Sequence, residues 1–160
     1  MHYIKIGLWI FILSLFYATG VLDIFGTNPA LLMIFALTYS SMAKTFAERI
    51  TVALICGIFM SALGNANFAL SVLFVLYFSL LAGVVFKAER IKYSYFVVLI
   101  IFFANLCFEG FSGLLTHGLS VEVLFETIFC SVVNFGFSLI LYPMIRYTFR
   151  KKERYIFEEI

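Results

Sequence analysis

Side chains that commonly carry out chemistry are few in this chain, and they are scattered. There are two histidines, His2 near the start and His117 between two apolar runs, and three cysteines, Cys56, Cys107 and Cys130, each inside an apolar run. Catalysis needs a nucleophile, a base or a metal group held together in a cleft. The chain contains no His-Glu-x-x-His, no Gly-x-Ser-x-Gly and no Walker-type phosphate loop. Hydrolysis within a membrane would want a histidine inside an apolar run, and none lies there. The cysteines show no Cys-x-x-Cys spacing, so they read as small buried apolar residues rather than as zinc ligands or disulfide partners. Glu109, His117, Glu122 and Glu126 lie close enough in sequence to suggest a cation site, but their spacing matches no ligand pattern. They read as a solvated outer loop. The expectation is a protein without catalytic residues, metal or cofactor.

Two other sets of residues point to packing. Gly57, Ser61 and Gly64 fall at helical spacing and predict a smooth stripe, which lets helix backbones approach where no hydrophobic effect drives them together. Glu126, Cys130 and Asn134 repeat every four residues, with Ser131 and Ser138 close by. Polar atoms facing lipid are costly, so this set is expected to face protein, either the bundle interior or a partner helix. Asn105, and Asn65 and Asn67 at a turn, are candidates to join it.

The elements that carry these residues follow from composition. Of 160 residues, 64% are hydrophobic and 12% charged, and the mean hydropathy is +1.08. An average soluble chain is roughly a quarter charged, so the bilayer must act as solvent for most of this one. The apolar runs predict an all-α integral membrane protein with six transmembrane helices in a single membrane domain, 1–160. The spans fall at approximately 6–22, 29–43, 50–63, 68–86, 93–108 and 121–145. Asn28-Pro29 reads as the start of the second, an Asn cap with Pro at the first helical position, and Ser120 as the N-cap of the sixth. Spans two and three are short against the ~20 residues a crossing needs, and the stems of Lys44 and Arg49 are expected to snorkel. Pro143 removes one internal hydrogen bond and predicts a kink late in the sixth. The stretch from Lys5 to Ala18-Thr19-Gly20 also resembles a cleavable signal, but its apolar run is long and its cleavage signal poor, so the helix is expected to be retained.

Charge decides the topology. Six spans place all 11 Lys and Arg on one side: Lys5, Lys44, Arg49, Lys87, Arg90, Lys92 and the tail Arg146, Arg150, Lys151, Lys152 and Arg154. The opposite loops hold Asp23, Glu109, Glu122 and His117. The positive-inside rule then puts both termini in the cytoplasm. The basic tail, interleaved with aromatics, reads as an anchor on anionic headgroups, with a cytoplasmic docking site as the sharper option. Membrane lipid is therefore an expected partner, and nucleic acid is not.

Three segments together resemble a known family. Asn28-Pro29-Ala30-Leu31-Leu32-Met33, then Gly57-Ile58-Phe59-Met60-Ser61-Ala62-Leu63-Gly64-Asn65, and finally Glu126 to Arg154 with Ser131-Val132-Val133-Asn134 are similar to the bacterial rod-shape-determining protein family MreD. The resemblance covers nearly the whole chain through mostly apolar motifs. Many members place an Asp before the small-residue turn, where this chain has Ser61-Ala62-Leu63, so no role is carried over from that acid. The resemblance implies a non-enzymatic scaffold of the cell-elongation and peptidoglycan-synthesis machinery in the bacterial cytoplasmic membrane. The partners it implies are an MreC-like bitopic protein, the actin-like MreB filament and peptidoglycan synthases. The family's fold looks like the six-helix substrate-binding component of energy-coupling-factor transporters. That likeness supplies the alternative, a binding component for a vitamin-type small molecule. A small channel or exporter is a third class, and no charged pore helix argues for it.

Overall fold

The computed structural model describes residues 2–22, 30–63, 67–88, 95–118 and 120–149, and every regular element among them is an α-helix. In chain order these are α1 (His2–Thr19), α2 (Leu31–Met42), α3 (Phe46–Leu63), α4 (Phe68–Ala88), α5 (Tyr95–His117) and α6 (Val121–Phe149). All but α2 contain an 18-residue window apolar enough to cross a membrane. The chain is a multi-pass membrane protein.

The exception organises the fold. With 12 residues, α2 is only ~18 Å long, against ~30 Å of hydrocarbon. Every residue from Leu31 to Ser40 is at most 1% exposed, and α2 packs against all five other described helices. A helix apolar on every side is stable only when it is surrounded, and here α3, α4 and α6 make most of its wall. Lipid is as apolar as leucine, so close packing holds such a bundle rather than water exclusion. The inner face of α4 shows how: Ser71, Val75, Ser79 and Ala82 are all fully buried, a row of small residues against which neighbouring helices can seat.

Several helix ends differ from the expected spans. The first lies further towards the N-terminus, covering His2–Thr19, and the second is shorter than expected, running from Leu31 to Met42 with Ala30 as its N-cap. Asn28 and Pro29 themselves lie outside the described residues. α3 begins four residues early, because Thr45 Oγ1 accepts the Glu48 N–H at 3.2 Å, one half of a capping box written Thr-x-x-Glu in the sequence. Lys44 thus lies in the turn but Arg49 is already helical. α5 continues through Glu109 to His117, where an open outer loop was expected. Gly118 then turns the chain at φ 74°, a conformation glycine adopts without a Cβ penalty. Ser120 caps α6 as expected, its Oγ accepting the Val123 N–H at 3.2 Å. α6 continues through Pro143 to Phe149.

Long-range contacts fix which ends lie together. Lys5 Nζ donates to the Thr148 carbonyl at 3.2 Å, and His2 Nε2 lies 2.8 Å from the Tyr39 hydroxyl. Arg49 packs against Gly83, where a Cβ would lie 2.5 Å from Nη1. The start of α1, the ends of α2, α4 and α6 and the start of α3 therefore share one end of the bundle. Lys5, Lys44, Arg49 and Arg146 all sit there, and we refer to it as the basic end. Glu109, Glu122, Glu126 and His117 occupy the far halves of α5 and α6.

Candidate functional site

The polar residues of α6 separate into an inner and an outer set. Val123, Thr127, Ser131, Asn134, Ser138, Tyr142 and Ile145 are buried, and from Thr127 onward their spacing averages the helical repeat. Glu126 is exposed and Cys130 half-buried. The three residues expected to act as one face therefore do not. A row of i, i+4 positions slants by about 40° per step, so Glu126 and Asn134 point in directions about 80° apart. Asn134 joins the interior, while Glu126 faces outward.

Asn134 makes a side-chain hydrogen bond that ties α6 to the buried helix. Its Oδ1 accepts the Ala30 backbone N–H at 2.7 Å, fully out of solvent. The first four N–H groups of any helix lack an intrahelical partner, and an unpaired buried amide is costly. α2 begins near the middle of the 29-residue α6, so one of its terminal donors is satisfied in the membrane interior by a side chain from another helix. Ala30 itself, with φ −75° and ψ 58°, supplies no cap of its own.

The other buried polar side chains are used differently. Thr38 Oγ1 donates to the Ile34 carbonyl, Ser131 Oγ to Thr127 and Ser138 Oγ to Phe135, each at 2.7 Å, and Asn105 Nδ2 to Ile101 at 2.8 Å. These are bonds back to the preceding turn of the same helix. The hydroxyls of Ser14, Ser40, Ser71 and Ser79 and the Asn105 Oδ1 are buried without a hydrogen-bond partner among the described residues. Serine at those positions contributes small volume.

Gly57 is buried on α3. A Cβ there would lie 2.9 Å from the Val72 Cα and 3.5 Å from the Ser71 carbonyl oxygen, closer than two backbones tolerate once a side chain intervenes. Ser61 is half-buried on the same helix, and Gly64 lies outside the described residues. At the basic end, Arg146 Nη1 donates to the Tyr142 hydroxyl at 3.3 Å, and its guanidinium stands 5.9 Å from that ring. Arg150, Lys151, Lys152 and Arg154 lie outside the described residues.

Sequence reasoning missed two features here. His2, given no role by its place near the start, joins an aromatic cluster with Tyr39 and Phe149, whose rings are 5.2 Å apart. Phe35 links that cluster to Trp9, stacked at 6.2 Å. Nothing in local spacing signals it, since the partners come from α1, α2 and α6. The second is the small-residue row of α4, which the four-residue spacing of Ser71, Val75 and Ser79 does signal. Among the described residues no group of three or more His, Cys, Asp or Glu side chains is placed to hold a metal ion, and all three cysteines are free. No family model, curated protein or solved structure matches the chain.

Proposed function

We propose that the protein is a non-enzymatic scaffold of the bacterial cell-elongation machinery, set in the cytoplasmic membrane with both termini in the cytoplasm. The observation that carries this reading is the filled centre of the bundle: α2 packs solidly against every other described helix, with ten consecutive residues at most 1% exposed. A protein that works by holding partners gains from a rigid interior and leaves its outer apolar faces for them. A binding component for a vitamin-type molecule would want that central volume as a cavity. The resemblance of Ala30 to Met33, of Gly57 to Leu63 and of the α6 segment to the MreD family supports the same reading and names its partners: an MreC-like bitopic protein, the MreB filament and peptidoglycan synthases. The gathering of Lys5, Lys44, Arg49 and Arg146 at one end supports the orientation through the positive-inside rule.

The test is depletion in a rod-shaped host, coupled to co-purification. Depletion is expected to round the cells and disperse the sites of wall synthesis, and the tagged protein is expected to retain an MreC-like bitopic protein in mild detergent. Normal rods after full depletion would refute the reading. Sub-micromolar binding of a vitamin to the purified protein would replace it with the transporter alternative.

A further inference from the structure

A groove of about 620 Å³ runs between α1 and α3, from Thr45 to Phe59 along the latter. Its character changes along its length. At the basic end the mouth carries Tyr3, Thr45 and Glu48, and deeper in it is lined by Ile10, Ile55 and Phe59. A polar mouth at headgroup level that gives way to an apolar channel matches one amphiphile standing in one leaflet. Gly7 lies on the wall, where a Cβ would meet nothing within 4 Å, so α1 leaves the channel open at that level.

Charge at the mouth narrows the occupant. Glu48 is the one acidic side chain among the described residues at the basic end. Its backbone N–H caps onto Thr45, but its carboxylate has no hydrogen-bond or ion-pair partner among the described residues. Arg49, the next residue, is turned away: its Nη2 donates to the Ala43 carbonyl at 2.9 Å and its guanidinium rests on Gly83. An anionic headgroup would leave Glu48 facing like charge. The Thr45 hydroxyl lines the same mouth, and its hydrogen is free to donate to a phosphate oxygen, since in the helix cap the oxygen only accepts. A hydroxyl donor for a phosphate and a carboxylate for a cation thus stand one helical turn apart.

We propose that this groove holds one phospholipid whose headgroup carries both a phosphate and a primary ammonium, the phosphatidylethanolamine class. The ammonium pairs with Glu48, the phosphate lies beside the Thr45 hydroxyl, and one acyl chain follows Ile10, Ile55 and Phe59. A primary ammonium offers three N–H donors to the carboxylate, whereas a trimethylammonium offers none. This site does not depend on the scaffold reading.

The full-length protein, stripped of lipid in detergent, would be offered phosphatidylethanolamine, phosphatidylcholine and phosphatidylglycerol of identical acyl chains, and retained lipid counted by native mass spectrometry. One phosphatidylethanolamine is expected per protein, favoured roughly three- to fivefold over the other two, the ratio one charge pair at an interface supplies. Glu48→Gln is expected to erase that preference while leaving the protein folded, because the change keeps the side chain's size and the carboxylate makes no hydrogen bond or ion pair among the described residues. Gly7→Leu, which projects into open space, is expected to lower retention of all three lipids. Equal retention of the three by the unaltered protein, or an undiminished preference in Glu48→Gln, would overturn the proposal. So would cross-linking of a polypeptide to a photoreactive residue at position 7, since the groove would then belong to a partner helix.

Discussion

Asn134 and the buried serines of α4 show that similar polar residues do unequal work inside the bundle. Asn134 satisfies the Ala30 amide, so Asn134→Leu removes the acceptor and keeps the donor buried. That is expected to cost about 1–3 kcal/mol, read as a lower unfolding midpoint in detergent. Ser79 has no partner for its hydroxyl among the described residues, so Ser79→Ala is expected to be neutral or slightly stabilising. Equal losses in the two variants would mean that the Ala30 bond carries no weight. Gly57 sets a third contrast. Because its Cβ would press on the Val72 backbone, Gly57→Leu is expected to separate α3 from α4 and reduce folded yield, while Ile58→Leu, half exposed beside it, should be nearly silent. Gly57 was legible in the sequence because small residues repeat around it. Asn134 was legible as polar but not as a cap, since its partner is 104 positions away and no spacing rule reaches that far.

Helices were the most legible level, and their ends the least. Long apolar runs between charges announce membrane spans because lipid cannot satisfy a bare backbone. The charges themselves mislead about boundaries: Glu48 and Arg49 look like a loop, yet the Thr45 cap starts α3 before them. Replacing Thr45 by Ala is expected to fray that start and cost about 1 kcal/mol, measured by hydrogen exchange at residues 46–49 with the rest of α3 protected. α5 misleads in the other direction, since Glu109 and Gly110 read as the edge of a loop but lie within a helix that ends at His117. The short α2 tests the topology most directly. Contacts from His2 to Tyr39 and from Lys5 to Thr148 require α1, α2 and α6 to meet at one end. Single cysteines at positions 44 and 148, in a background where Cys56, Cys107 and Cys130 are replaced, are expected to label from one side of the membrane, and cysteines at 67 and 120 from the other. Labelling of 44 and 120 from the same side would break the path through α2.

At the scale of the whole molecule, a filled interior and a lipid-facing apolar exterior predict how function should fail. If the protein holds partners by surface packing, no single polar side chain is indispensable, because binding is spread over many weak contacts rather than one reactive group. Alanine at Glu109, His117, Glu122 or Glu126 is therefore expected to restore rod shape in a depleted host almost as well as the unaltered gene. Asn134→Leu is expected to restore it poorly, but only as far as its folded yield falls, since Asn134 works inside the bundle by holding α2 to α6 and does not reach a partner. Glu126 and the exposed Phe125 and Ile128 beside it form one outward stretch of α6 that is open to a partner. A charged replacement such as Ile128→Lys on that outer face is the informative variant: it should keep normal folded yield yet lose an MreC-like protein on co-purification if that face is the contact. The measurement pairs membrane abundance with cell shape for each variant. Loss of shape at normal abundance in His117→Ala would point instead to chemistry at one residue, and the scaffold reading would not survive it.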